Sequence, residues 1–149
     1  SKLALANEGK VFPVGRISFL LDRDFLRVML PSGRDLYYYN PIIHDGSVYF
    51  AGTNTFTKKW ERIQMYGGKW AENLTQAVSR DILAHNMMQV ESKHFQIVGS
   101  IHDELITEQT PAKTRSPMML SKLISTQPKW ALGLPLGAKG YQAQRFKKE

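Results

Sequence analysis

The sequence predicts an α+β fold, an antiparallel sheet with one polar-tipped β-hairpin, backed by a long helix and a shorter C-terminal one. Three observations predict it. The first part of the chain is a series of β-prone runs separated by turn signals. After Gly67-Gly68 the apolar period becomes helical and stays so to about Val90. The stretch 96–108 then returns to β-prone arms, carrying Ile97, Val98, Ile101, Leu105 and Ile106 around His102-Asp103-Glu104.

Residues 1–15 have no strong period, because Gly9, Pro13 and Gly15 interrupt any helix begun at Leu3-Ala4-Leu5-Ala6. We expect 1–24 to be a poorly defined N-terminal segment, and it does not read as a natural beginning. Residues 25–30 are an apolar, β-prone run interrupted by the basic Arg27, Pro31-Ser32-Gly33 supplies a turn, and 36–39 return as a second strand. A further strand, 47–50, follows His44-Asp45-Gly46, and another short one is expected to end at Trp60. The glycine after His44-Asp45 explains that aspartate as turn chemistry.

From 69 to 90 the spacing predicts a helix of about six turns. Trp70, Leu74, Ala77, Val78, Ile82, Ala84 and Met88 fall on one broad face, which should be core. Glu72, Thr75, Gln76, Ser79, Arg80 and Asn86 fall opposite. Such a face is by default solvated, yet Gln76 and Arg80 lie on neighbouring turns, as they would to touch a base edge and a phosphate backbone. Asp81 sits inside the apolar arc and calls for a partner, which His85 one turn on could provide.

The hairpin carries the chemistry. Three successive titratable residues between apolar arms would be costly to bury without a purpose, and a divalent metal would supply one. Asp103 and Glu104 are hard oxygen ligands suited to magnesium, and His102 is a donor for a phosphate oxygen. Beyond it, 109–113 reads as a loop, and Pro117 opens a helix that runs to about Ser125. Residues 132–136 read as an edge strand because of Pro135, and 141–149 as a basic tail.

Composition limits the function classes. At 149 residues one domain is expected over 1–149, and 42% apolar residues suffice for a core. Twenty Lys and Arg against thirteen Asp and Glu give a net charge of +7, which favours polyanionic partners, although ribosome-like basicity has the same signature. The absence of cysteine excludes disulfides and thiolate metal sites. No apolar run approaches the roughly 20 residues of a membrane helix, and the first residues lack a signal-peptide pattern, so we expect no membrane partner.

Taken together, 66–81 (Tyr66-Gly67-Gly68-Lys69-Trp70 through Gln76-Ala77-Val78-Ser79-Arg80-Asp81) and Ile101-His102-Asp103-Glu104-Leu105 resemble the C-terminal palm segment of family A DNA polymerases, especially phage and prophage members. Leu30-Pro31-Ser32-Gly33-Arg34-Asp35-Leu36-Tyr37 is similar to the strand pair before the family's helix, and Leu134-Pro135-Leu136 with the tail to its final strand and C-terminus. The resemblance implies a partial polymerase palm and template-directed nucleotidyl transfer. His102, Asp103 and Glu104 would be the catalytic group, with Asp103 a ligand of the catalytic Mg2+ ions and Glu104 the carboxylate beside it. His102 would lie near the primer-terminal backbone. Lys69, Asn73, Gln76, Arg80 and His102 would face DNA, Gln76 toward the minor groove. One position departs: where bacterial members have an asparagine one turn before the glutamine, this chain has Glu72, with Asn73 next to it.

The family's other metal-binding aspartate strand and its nucleotide-binding helix belong before residue 1. Two metals about 4 Å apart need carboxylates from both strands, so this chain would hold half of the two-metal site and be inactive alone. The resemblance implies a missing N-terminal polymerase portion, a DNA primer-template and a dNTP as partners, in the cytoplasm of a bacterial or phage-infected cell. The chain would be a cut-out piece, a prophage remnant or one part of a split enzyme. An exposed sheet edge at the hairpin would favour self-association, or closure by residues 1–24. The alternatives are a non-catalytic basic DNA-binding or accessory module, and a metal-dependent phosphodiesterase using Asp103 and Glu104 with His44 or His85.

Overall fold

The structure, a computed structural model, describes residues 1–110 and 115–145. Parts of the expected loop and of the basic tail, Lys113, Lys147 and Lys148 among them, lie outside the described residues. The fold is α+β, as expected. The chain forms two compact units, Ser1–Val78 and Ser79–Glu149, with the boundary inside the long helix. No helix of the described residues is long and apolar enough to cross a membrane.

The first unit is an antiparallel meander in which every strand pairs with its sequence neighbour, in the order β1-β2-β3-β4-β5-β6. Its elements are α1 (Lys2–Leu5), β1 (Val11–Val14), β2 (Ile17–Asp22), β3 (Phe25–Met29), β4 (Asp35–His44), β5 (Ser47–Thr53), β6 (Trp60–Met65) and the first part of α2 (Gly67–Ser92). Residues 1–24 thus contribute a short helix and two strands, and Pro13 is accommodated because β1 is an edge strand. The strand expected to end at Trp60 begins there instead.

Alternation across the strands puts Leu26 and Val28, both fully buried, on the same face as Tyr38 and Leu36, their cross-strand partners. Ala4, Phe19, Val48 and Met65 complete that core, and Trp70 of α2 packs on it. The Trp70 ring meets Phe19 at 5.5 Å and Tyr38 at 4.9 Å, both edge to face. The β4–β5 turn is Asp45-Gly46 with φ of 45° and 68°, the backbone that an Asp-Gly hairpin turn requires.

The second unit holds the rest of α2, a separate two-stranded ladder of β7 (Gln96–Ile101) and β8 (Glu104–Glu108), α3 (Pro117–Ile124) and a 3-10 turn at Lys129–Ala131. α2 stops at a Schellman closure: the Phe95 N–H reaches the Val90 carbonyl at 3.3 Å, the His94 N–H reaches that of Glu91 at 2.8 Å, and His94 has φ of 62°. Val90 and Phe95 are both buried there, the apolar contact such closures make. Ser116 caps α3 by accepting from the Met119 N–H at 3.2 Å, with Pro117 in the first turn.

Two expectations fail in this unit. Asn86, expected on the solvated face, is fully buried, whereas Ala84 and Met88, expected in the core, are exposed. Asn86 donates to the Ile124 carbonyl at 2.8 Å and the Thr126 carbonyl at 2.9 Å, meeting acceptors at the end of α3 that would otherwise be unpaired. The edge strand expected at 132–136 is absent. Gly133 has φ of 88°, and the Gln127 amide group accepts from the Gly133 N–H and donates to the Leu134 carbonyl at 2.7 Å, where a strand would need a partner strand.

Candidate functional site

The β7–β8 hairpin closes at the pair Ile101 and Glu104, leaving His102-Asp103 as a two-residue turn. His102 has φ of 52°, a left-handed backbone that costs a non-glycine residue free energy. Arg23, Asn40, Asp45, Lys58 and His94 do the same, so the conformation fits a site without identifying one. A bulge between Ile97 and Gly99 leaves Val98 unpaired and 53% exposed.

His102, Asp103 and Glu104 are all exposed, as is Ile101 at the base of the turn. That overturns the burial argument for a metal, since the apolar arms do not enclose the titratable residues. What the geometry leaves is chemical. Two adjacent carboxylates and an imidazole stand at a tight turn, open to solvent and able to meet a metal ion or a phosphate.

Among the residues expected to face DNA, Lys69, Asn73 and Gln76 fall at spacings of four and three on the first unit's part of α2, and Arg80 lies on the second unit's part. Their surroundings differ. Lys69 and Asn73 are half-buried, and the Asn73 amide donates to the Tyr38 hydroxyl at 3.5 Å. Burial raises the pKa of Tyr38, and this hydrogen bond partly offsets the rise. Gln76 is exposed and donates to Glu72 one turn back at 3.4 Å. Arg80 is exposed and donates to the Ser100 hydroxyl at 3.4 Å, next to the pair that closes the turn. The structure therefore brings Arg80 to the hairpin within the second unit.

Asp103 and Glu104 are the exposed carboxylates of the turn that could enter a magnesium shell, which commonly takes one or two carboxylates and fills the rest with water and substrate phosphate. Among the described residues no three or more His, Asp or Glu side chains converge to hold a metal. His44 stands at the β4–β5 turn with its Nε2 3.3 Å from Asp45, both exposed, and His85 is half-buried on α2.

The chain is 33% identical over 138 residues to the DNA polymerase of Bacillus phage SP02, a match covering 89% of this chain and 21% of the phage protein. It thus spans about a fifth of the length of that curated relative. An alignment of that reach cannot leave out residues 67–108, so α2 and the β7–β8 hairpin lie inside it. No protein-family model matches the chain. No solved structure matches it either. Along most of its length, then, the chain is related to part of a phage DNA polymerase.

Proposed function

We propose that this chain forms the C-terminal palm region of a family A DNA polymerase, in which Asp103 binds one side of the catalytic magnesium pair. The observation that carries the reading is the β7–β8 turn, which presents Asp103 and Glu104 to solvent with Arg80 of α2 hydrogen-bonded beside it. The similarity to a phage DNA polymerase across that same stretch supports it. When bound, the two metals would lower the barrier to in-line attack of a primer hydroxyl on the nucleotide α-phosphate, with pyrophosphate as the leaving group. His102 would hold the primer-terminal backbone, and Lys69, Asn73, Gln76 and Arg80 would each face the primer-template. Such an enzyme would work in the cytoplasm of a bacterial or phage-infected cell.

Asp103 and Glu104 are neighbours on one hairpin, so they provide one side of a clamp that needs carboxylates from separate strands. Turnover would therefore belong to an assembly containing the second aspartate strand and the nucleotide-binding helix. The 149-residue chain alone should not extend a primer.

The test is a chimera in which the matched stretch of the phage SP02 polymerase is replaced by this chain. The chimera should extend a primer in magnesium. Asp103→Asn should lower turnover by about a thousandfold, since a Lewis acid contributes several kcal/mol at a tenfold rate change per ~1.4 kcal/mol. Glu104→Gln should cost less, about tenfold. Full activity of the Asp103→Asn chimera would refute the reading. A basic DNA-binding module without chemistry, which the charge of +7 also favours, predicts DNA binding with no effect of Asp103→Asn on any turnover.

A further inference from the structure

The first unit has a second surface whose chemistry the hairpin reading does not use. Alternation places Phe25, Tyr37, Tyr39 and Trp60 on the sheet face opposite Leu26, Val28 and Tyr38. Their rings form a continuous row across β3 to β6. Tyr37 and Phe25 are 6.0 Å apart, Phe25 and Tyr39 5.3 Å, and Tyr39 and Trp60 6.3 Å. Ala51, between Tyr39 and the β6 edge, is small enough for the last two rings to meet across β5.

Cross-strand aromatic pairs stabilise a sheet, but that role does not require open rings. Here Phe25 is 39% exposed, Tyr39 41%, Tyr37 59% and Trp60 66%. The planes within the row meet at 86°, 49° and 49°, so none is stacked flat on its neighbour and π-faces stay open.

The charges are arranged unevenly along the row. At the Tyr37 end Arg27 is held by Asp35 at 2.5 Å and Asp22 at 3.1 Å, with its Cζ 5.7 Å from the Tyr37 ring centroid, so it positions that ring and is already neutralised. At the other end Lys58 and Lys59 precede Trp60, and Arg62 shares its face and reaches across β5 to the Asn40 carbonyl. Glu61 alternates to the other face and accepts from the Asn54 amide. Arg62 thus makes the Trp60 end cationic as well as aromatic, and the two lysines lie in the loop that leads into it.

We propose that this face binds single-stranded nucleic acid, with unpaired bases stacking on Trp60, Tyr39 and Phe25 and phosphates meeting Lys58, Lys59 and Arg62. Aromatic platforms on a sheet beside cationic side chains recognise single strands with little regard to sequence, because every base has a π-face. A duplex hides those faces, so the surface discriminates against paired DNA. The inference concerns binding alone and stands whatever the fate of Asp103.

The test titrates the full chain with fluorescently labelled oligo-dT, oligo-rU and a duplex of equal length. Trp60→Ala and Tyr39→Ala should each weaken single-strand binding about 5- to 100-fold and leave duplex binding unchanged. Trp60→Phe, which keeps a stacking ring, should restore most of the affinity. Dependence on Trp60 with either dT or rU supports the proposal and identifies the sugar. Single-strand affinity unchanged in both alanine variants overturns it. So does a chain dimer that Trp60→Ala dissociates without any loss of oligonucleotide binding, since the face would then be a contact between copies.

Discussion

The Arg80 guanidinium donates to the Ser100 hydroxyl at 3.4 Å, and Ser100 stands one cross-strand pair from the pair that closes the His102-Asp103 turn. A helix cation is thereby placed at the base of the hairpin turn. In the proposed complex it would meet a DNA phosphate. Duplex binding by this chain should therefore be weak and electrostatic. If about four phosphates are contacted, log affinity should fall against log salt with a slope near −3.6, and Arg80→Ala should make it shallower by about 0.9. Filter binding between low and physiological salt checks both numbers. Salt-insensitive binding would contradict them.

Asn86 ties α2 to the end of α3. Asn86→Ala leaves the Ile124 and Thr126 carbonyls without their donor, which should cost roughly 2–4 kcal/mol in urea denaturation. Asn86→Asp should cost more, because a buried carboxylate faces two carbonyl oxygens. Equal stability of Asn86→Asp and the parent chain would show that these hydrogen bonds are not formed.

Tyr38 gives the first unit an alkaline limit. Burial raises its pKa above the ordinary 10.0, so the folded state holds the phenolic proton more tightly than the unfolded chain does. That stabilisation is complete below the unfolded value and is lost as pH climbs through the folded one. Thermal melts across pH 9 to 11 should therefore show a decline that is shallower in Tyr38→Phe. Parallel declines would contradict the assignment.

Val98 and Ile101 expose apolar surface on a hairpin whose strands pair only with each other among the described residues. Such an edge is a template for association. Sedimentation should show concentration-dependent self-association that Val98→Lys suppresses. A monomer at all concentrations would count against an open edge.

Much of this architecture was legible because the signals are local. Asp45-Gly46 needs no information beyond itself to make a hairpin turn, Ser116-Pro117 opens a helix wherever it stands, and the α2 period extends over enough residues to be read. The pairing of the two arms of 96–108 as a hairpin belongs to the same class, whereas a solvent-exposed turn at His102-Asp103, with no glycine to mark it, does not. What stayed hidden depends on distant partners. Nothing around Asn86 announces two carbonyls at the end of α3, and Gln127 clamps a segment whose apolar residues suggested a strand. Tyr37, Tyr38 and Tyr39 look alike in sequence, yet Tyr38 is buried and its neighbours are open, a difference set by which sheet face α1 and α2 cover. The exposure of the hairpin was hidden for the same reason, because apolar β-prone arms do not say what covers them.

The measurement that tests the central claim most directly is nuclear magnetic resonance of the isotopically labelled chain titrated with Mn2+, whose unpaired electrons broaden nearby signals even at low occupancy. The proposed site predicts that the amides of His102, Asp103 and Glu104 broaden first, that Asp103→Asn abolishes the effect there, and that Glu104→Gln only weakens it. Earliest broadening elsewhere, or an unchanged pattern in Asp103→Asn, would contradict a metal site at this hairpin.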